Sequence, residues 1–205
     1  MRRGRTLQAP ERTLRLEFIL EEVSSTSPSD FLNFVAYADG FVKSYIEAEL
    51  LSVADDFEFP SAWKVQIVEE ARRLLRALPA PAEVRDVRHG SPWALVLAIP
   101  AAIFLPFVYR CLNPVIREAW NDSNLKDRLF LFMRDQVFRG AKKKAEDQAA
   151  LTPSRRSIKV RDVKELSGGT GNPAVEIRLT RKDVIEISVS DERLLEEFRE
   201  RLLHK

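Results

Sequence analysis

One cysteine, two histidines and seven glycines among 205 residues remove several chemistries at once. Cys111 alone allows no internal disulfide and no thiolate zinc cluster, and it fits a reducing, intracellular setting. His89 and His204 are too few for a histidine-rich metal centre. His89 as a pH switch is weighed against a structural histidine at a strand end, and the structural role is favoured. The run Gly168-Gly169-Thr170-Gly171 lacks the Lys-Ser/Thr that completes a phosphate loop, so it reads as a turn. The acids Asp55, Asp56 and Glu58, like Glu21 and Glu22, read as solvated faces rather than a metal cluster. No nucleophile–base pair stands out, so no catalytic residue, metal or cofactor is expected and the chain reads as non-enzymatic. The N-terminus is basic but has no apolar stretch behind its charges, which predicts no cleavable export signal.

Charge is missing from one long stretch. Trp93 to Tyr109, WALVLAIPAAIFLPFVY, has no charged or strongly polar residue in a chain that is 31% charged. Residues 1–92 carry 12 Lys/Arg against 15 Asp/Glu, whereas residues 93–205 carry 21 against 16, so the basic excess lies beyond that stretch.

Around it the sequence reads as α+β. Residues 1–12 form a basic tail expected to be disordered. Leu14, Leu16, Phe18 and Leu20 alternate with polar residues, which predicts a half-buried strand over Thr13–Val23. Ser29 or Asp30 caps a helix running to about Val53, and Pro60-Ser61 opens a second, stopped by Pro79 and Pro81. A strand over Glu83–Arg88 closes a β-α-α-β unit spanning 13–90. Gly90-Ser91-Pro92 has the chemistry of a helix start, which predicts an apolar, transmembrane-type helix over 91–112. Residues 113–150 read as a basic amphipathic helical segment: a turn at Asn113-Pro114, a short helix over Val115–Trp120 and a longer one to about Gln148. Residues 151–205 read as a β-β-β-α unit. There Val175, Ile177 and Leu179 pair with Ile185, Ile187 and Val189, and a helix runs over Asp191–Leu203.

For the apolar stretch two readings stand side by side. In the first it meets lipid. Trp93 and Tyr109 sit about 24 Å apart on a helix axis, near the two interfaces. Trp93, Leu97, Ile99, Ile103, Phe104, Phe107 and Tyr109 form the lipid-facing set, Pro100 and Pro106 supply kinks, and Lys142, Lys143 and Lys144 hold the headgroups. In the second it is buried in a core, or against a second copy or a partner. Positive flanks are balanced, so no orientation follows. The basic patch Lys142-Lys143-Lys144 with Arg155-Arg156 favours anionic lipid over nucleic acid, because overall charge is nearly neutral. Cys111 reads as an inert buried thiol rather than a lipidation site.

The segment RHGSPWALVLAIP resembles a group of uncharacterised bacterial proteins in which an α+β unit ends in a strand, a Gly-Ser-Pro turn and an apolar helix. The resemblance spans residues 13 to about 110 and implies no activity. The layout is also similar to small membrane-acting effectors of bacterial antiphage defence, which implies a membrane-perturbing role. The expectation is therefore a bacterial membrane-associated protein that oligomerises and inserts or docks the stretch Trp93–Leu112. It would lie on the cytoplasmic side of the inner membrane, or in the cytoplasm until activated, with a neighbouring gene product as a further partner. The competing expectation is a soluble assembly or adaptor module that buries the same stretch in an interface.

Overall fold

The computed structural model describes residues 12–21, 28–57, 59, 61–77, 81–88, 92–111, 118, 124–151, 158–166 and 172–181. The elements are β1 (Thr13–Leu20), α1 (Pro28–Asp56), α2 (Ser61–Ala77), β2 (Glu83–Arg88) and β3 (Trp93–Pro100), then a 3-10 turn (Ala101–Ile103) leading into α3 (Phe104–Cys111). They continue as α4 (Leu125–Gln136), α5 (Ala141–Leu151), β4 (Ile158–Leu166) and β5 (Ala174–Arg181). Among the described residues the strands form one mixed sheet in the order β2-β3-β1-β5-β4, with β5 parallel to β1 and the other pairs antiparallel. The fold is α+β, and the helices among the described residues pack on one face of that sheet.

Alternation builds the inner face. Leu14, Leu16, Phe18 and Leu20 of β1 stand opposite Ile99, Leu97, Leu95 and Trp93 of β3. Val175, Ile177 and Leu179 of β5 continue the same rows beyond Leu16, Phe18 and Leu20. These residues join one core with Phe34, Phe41, Tyr45 and Ile46 of α1, and each large side chain contributes about 1.5–3 kcal/mol by burial. Phe18 meets Phe41 edge-on at 5.4 Å, and Trp93 meets Phe31 edge-on at 5.5 Å. α2 and α5 flank α1, and α3 packs on α2.

The predicted apolar helix over 91–112 is corrected: its first half is the buried strand β3, and only Phe104–Cys111 is helical. β3 lies between β2 and β1, so its backbone groups are paired along both edges. Every residue from Trp93 to Ile99 is buried, and a strand covered on both faces reads as an unbroken apolar run. Pro100 ends this strand opposite Thr13, with the next N–H, that of Ala101, donating to the Arg12 carbonyl, and Pro106 lies in the first turn of α3, where N–H groups have no partner within the helix anyway. Neither proline kinks a long helix. Trp93, Leu97, Ile99 and Phe104 face the interior, Ile103 is half-buried against the core, and Tyr109 is exposed. The side chains of Pro106 and Phe107 lie outside the described residues. No helix of the described residues is long and apolar enough to cross a membrane.

Two more expectations change. The strands assigned to separate units at 13–90 and 151–205 share one sheet, because β5 pairs with β1. The single long helix ending near Gln148 is two helices, broken at Val137–Gly140, where Phe138 (φ 64°) and Gly140 (φ 66°) take left-handed backbone. Residues 1–11, Val115–Arg117, Arg155-Arg156, the glycine run from 168 and everything after Arg181 lie outside the described residues, as do His89 and His204. Arg12, the last residue of the expected tail, hydrogen-bonds the carbonyls of Asp135 and Val137.

Candidate functional site

The outer face of the sheet is set by size as much as polarity. With the large residues of β3 turned towards the helices, its outer face presents Ala94, Val96 and Ala98. Alongside on β1 lie Ile19, Glu17 and Arg15, and beyond them on β5 lie Arg178, Glu176 and Ala174. On the other side, β2 places Arg88 beside Ala94 and Asp86 beside Val96.

Each edge strand sends an arginine over its neighbour to the central strand. Arg88 of β2 crosses β3 to reach Glu17, with Nη2 2.6 Å from Oε1. Arg161 of β4 crosses β5 to reach Glu21, just past the end of β1, also at 2.6 Å. Strands two apart are separated by about 9.5 Å, so an arginine spans them only over low side chains. Ala94, Val96 and Thr180 provide that, and an arginine stem can lie along such apolar surface. Arg15 completes the Glu17 site from its own strand at 3.0 Å, and Arg178 joins Glu21 (3.1 Å) to Glu176 (2.6 Å). The hydrogen bond to Glu176, then the charges of Glu176 and Glu21, hold the Arg178 guanidinium above its ordinary pKa.

The vertical order decides what solvent meets. The Arg15, Arg88 and Arg161 side chains are 51, 56 and 60% exposed, whereas those of Glu17, Glu21 and Glu176 are 10, 19 and 12% exposed. Guanidinium groups form the surface and carboxylates the layer beneath, so a face nearly neutral by count presents positive charge and fixed N–H donors. At the rim, Glu83, Asp86 and Asp162 are exposed acids. Both edge strands carry register shifts, at Val84/Asp86 and Val160/Asp162, and many charges, which together disfavour pairing with a further strand.

Each brace makes a modest contribution to stability, because one partner is solvated. Arg88→Ala is expected to cost about 1 kcal/mol, and so is Arg161→Ala. The two are served by different glutamates, Glu17 on β1 and Glu21 just past its end, so the double variant should lose the sum. Urea titrations of the singles and the double check this; strong coupling between them would mean that the two braces act as a single unit.

The three lysines expected to hold headgroups have different surroundings. Lys142 pairs with Glu146 on the same helix at 3.5 Å, and Lys143 is exposed. Lys144 turns inward, its ammonium 2.9 Å from both oxygens of the buried Glu49. Asp55 and Asp56 are exposed at the end of α1. Glu21, read from sequence as part of a solvated face, is half-buried under two arginines. Among the described residues no group of His, Cys, Asp and Glu is placed to hold a metal ion. The arginine face escaped the sequence reading because its members are scattered over Arg15, Arg88, Arg161 and Arg178; the local signal was the small residue at alternate positions of WALVLAI.

Comparison of the chain with protein-family models, with curated proteins and with solved structures finds no match.

Proposed function

We propose that this chain is a non-enzymatic assembly or adaptor module that docks an acidic protein surface on the arginine-covered outer face of its sheet. The observation that carries this reading is the stacking of half-exposed guanidiniums over nearly buried glutamates. Those glutamates are already neutralised, so the arginines keep a fixed geometry and offer their remaining donors outward. The face measures roughly 24 by 26 Å, on the order of 600 Å², close to what each partner contributes to a standard interface. The acidic rim of Glu83, Asp86 and Asp162 opposes a uniformly anionic sheet of lipid or a nucleic-acid backbone. It suits a protein partner with carboxylates at the centre of its patch and basic residues around them.

Lipid insertion of Trp93–Pro100 would need β3 to leave the sheet. Its side chains would be re-buried in hydrocarbon, but β1 and β2 would both lose their pairing with β3, and the core around Leu14, Leu16 and Phe18 would open to water. Release of that strand is therefore equivalent to unfolding, and we prefer the docking reading.

The test uses an oligo-glutamate peptide, an oligo-lysine peptide, anionic vesicles and single-stranded DNA, each added to isotope-labelled protein. The peptide of glutamates should shift the side-chain signals of Arg15, Arg88 and Arg178, and Arg15→Ala with Arg178→Ala should weaken it at least tenfold. Shifts located away from this sheet face, or an unaltered response in the double variant, would defeat the proposal; a preference for vesicles or DNA would reassign the partner.

A further inference from the structure

The joint between α4 and α5 sits inside the molecule and is built from groups with two uses. Val137 still donates its N–H to the carbonyl of Met133, so α4 is intact to that point. In a continuing helix the next N–H, that of Phe138, would go to the carbonyl of Arg134. It goes instead to Glu49 Oε1 at 2.8 Å, on a different helix. Arg139 bonds Gln136 in a tighter turn, and the helical ladder resumes with Lys144 on Gly140. Glu49 thus takes the place of the acceptor that a straight helix would supply.

Holding that bend is unfavourable for the backbone. Phe138 has φ 64°, a conformation that side chains with a Cβ disfavour. Its ring is buried edge-on against Phe104 at 5.7 Å, and the Glu49 carboxylate, 1% exposed, is compensated by Lys144. One turn along α1 from Glu49, the Tyr45 hydroxyl is buried with no hydrogen-bond partner among the described residues. Strain and an unsatisfied polar group thus meet at one charge pair. The sequence over 125–148, by its own periodicity, favours a continuous helix.

We propose that this joint is a charge-held two-state hinge. While Lys144 neutralises Glu49, the carboxylate holds the Phe138 N–H and the helices stay bent. When Lys144 is drawn to another anion, or a neutral side chain stands in its place, Glu49 is left uncompensated in the interior. Glu49 then leaves the joint, the Phe138 N–H passes to Arg134, and α4 and α5 straighten into one helix. Lys144 is the handle: its side chain is 24% exposed, and it follows the exposed Lys142 and Lys143.

The experiment places spin labels at Asp127 and Asp147, both exposed, with Cys111→Ser to remove the native thiol. A straight helix puts these positions about 30 Å apart, and the bent form is shorter. Gly140→Ala is the gentle variant, because a Cβ there meets nothing within 4 Å and only the left-handed backbone opposes it. The hinge predicts a long-distance population in Gly140→Ala, and a rise of at least tenfold over the parent in Lys144→Gln with helical circular dichroism retained. Unchanged distances in a folded Gly140→Ala would overturn the proposal. So would outright unfolding of Lys144→Gln, which would make the pair a support of the whole fold instead of a hinge.

Discussion

Ile99→Asp is expected to leave no folded protein at room temperature. Ile99 is fully buried, paired across the sheet with Leu14, and lies in the core beneath the helices. The change removes about 2–3 kcal/mol of apolar burial and places a carboxylate in an apolar interior, which costs several kcal/mol more. Together they approach or exceed the 5–15 kcal/mol that holds a domain. The neighbouring strand supplies the contrast. Ile19 points to the outer face beside Ala94 and Arg178 and is half-buried, so Ile19→Thr should cost under about 1.5 kcal/mol. Circular dichroism and a two-dimensional amide spectrum decide both. A folded, native-like Ile99→Asp would mean that Trp93–Pro100 is not an interior strand.

Raising the pH above 10 is expected to unfold the protein steeply. Burial pushes Tyr37 from 10.0 to about 12 and pushes Tyr45 still higher, with the charge of Glu49 adding to the effect at Tyr45. Below pH 10 both phenols are protonated in folded and unfolded chains, and neither contributes a slope. Between pH 10 and 12 the unfolded chain loses protons that the folded one keeps, so stability falls as pH rises. Each tyrosine contributes about 1.4 kcal/mol per pH unit, about 2.7 for the pair, and the two-unit window removes about 5 kcal/mol. Phenolate absorbance from these tyrosines and loss of helical signal should therefore appear together. Tyr37→Phe with Tyr45→Phe should flatten the slope, and Tyr45→Phe alone should cost little at neutral pH because its hydroxyl has no hydrogen-bond partner among the described residues. Ionisation of both tyrosines near pH 10 in a still folded protein would contradict their burial.

Local pattern carried much of the fold. β1, α1, α2 and β2 lie where alternation, capping residues and prolines put them, within a few residues. β3 escaped because polarity cannot distinguish a strand buried on both faces from a buried helix. Its true signature is alternation of size, Trp93, Leu95, Leu97 and Ile99 against Ala94, Val96 and Ala98. The small set makes sense only once Arg88 is known to pass over it. The pairing of β5 with β1 joins residues more than 150 apart, and nothing near either strand encodes it. The break between α4 and α5 depends on Glu49, almost ninety residues upstream. The arginine face was hidden for the same reason: alternating Arg and Glu read as solvated charge until the strand order shows which group lies above which.

Trp93–Pro100 is paired along both edges within the protein's own sheet, and a role in lipid would require it to leave. Amide hydrogen exchange of Ala94, Val96 and Ile99, measured with and without vesicles rich in anionic lipid, tests this most directly. These amides are predicted to exchange only through global unfolding, at rates that vesicles leave unchanged. Exchange well above the global rate, or protection that shifts when vesicles are added, would show a segment that leaves the sheet for the membrane.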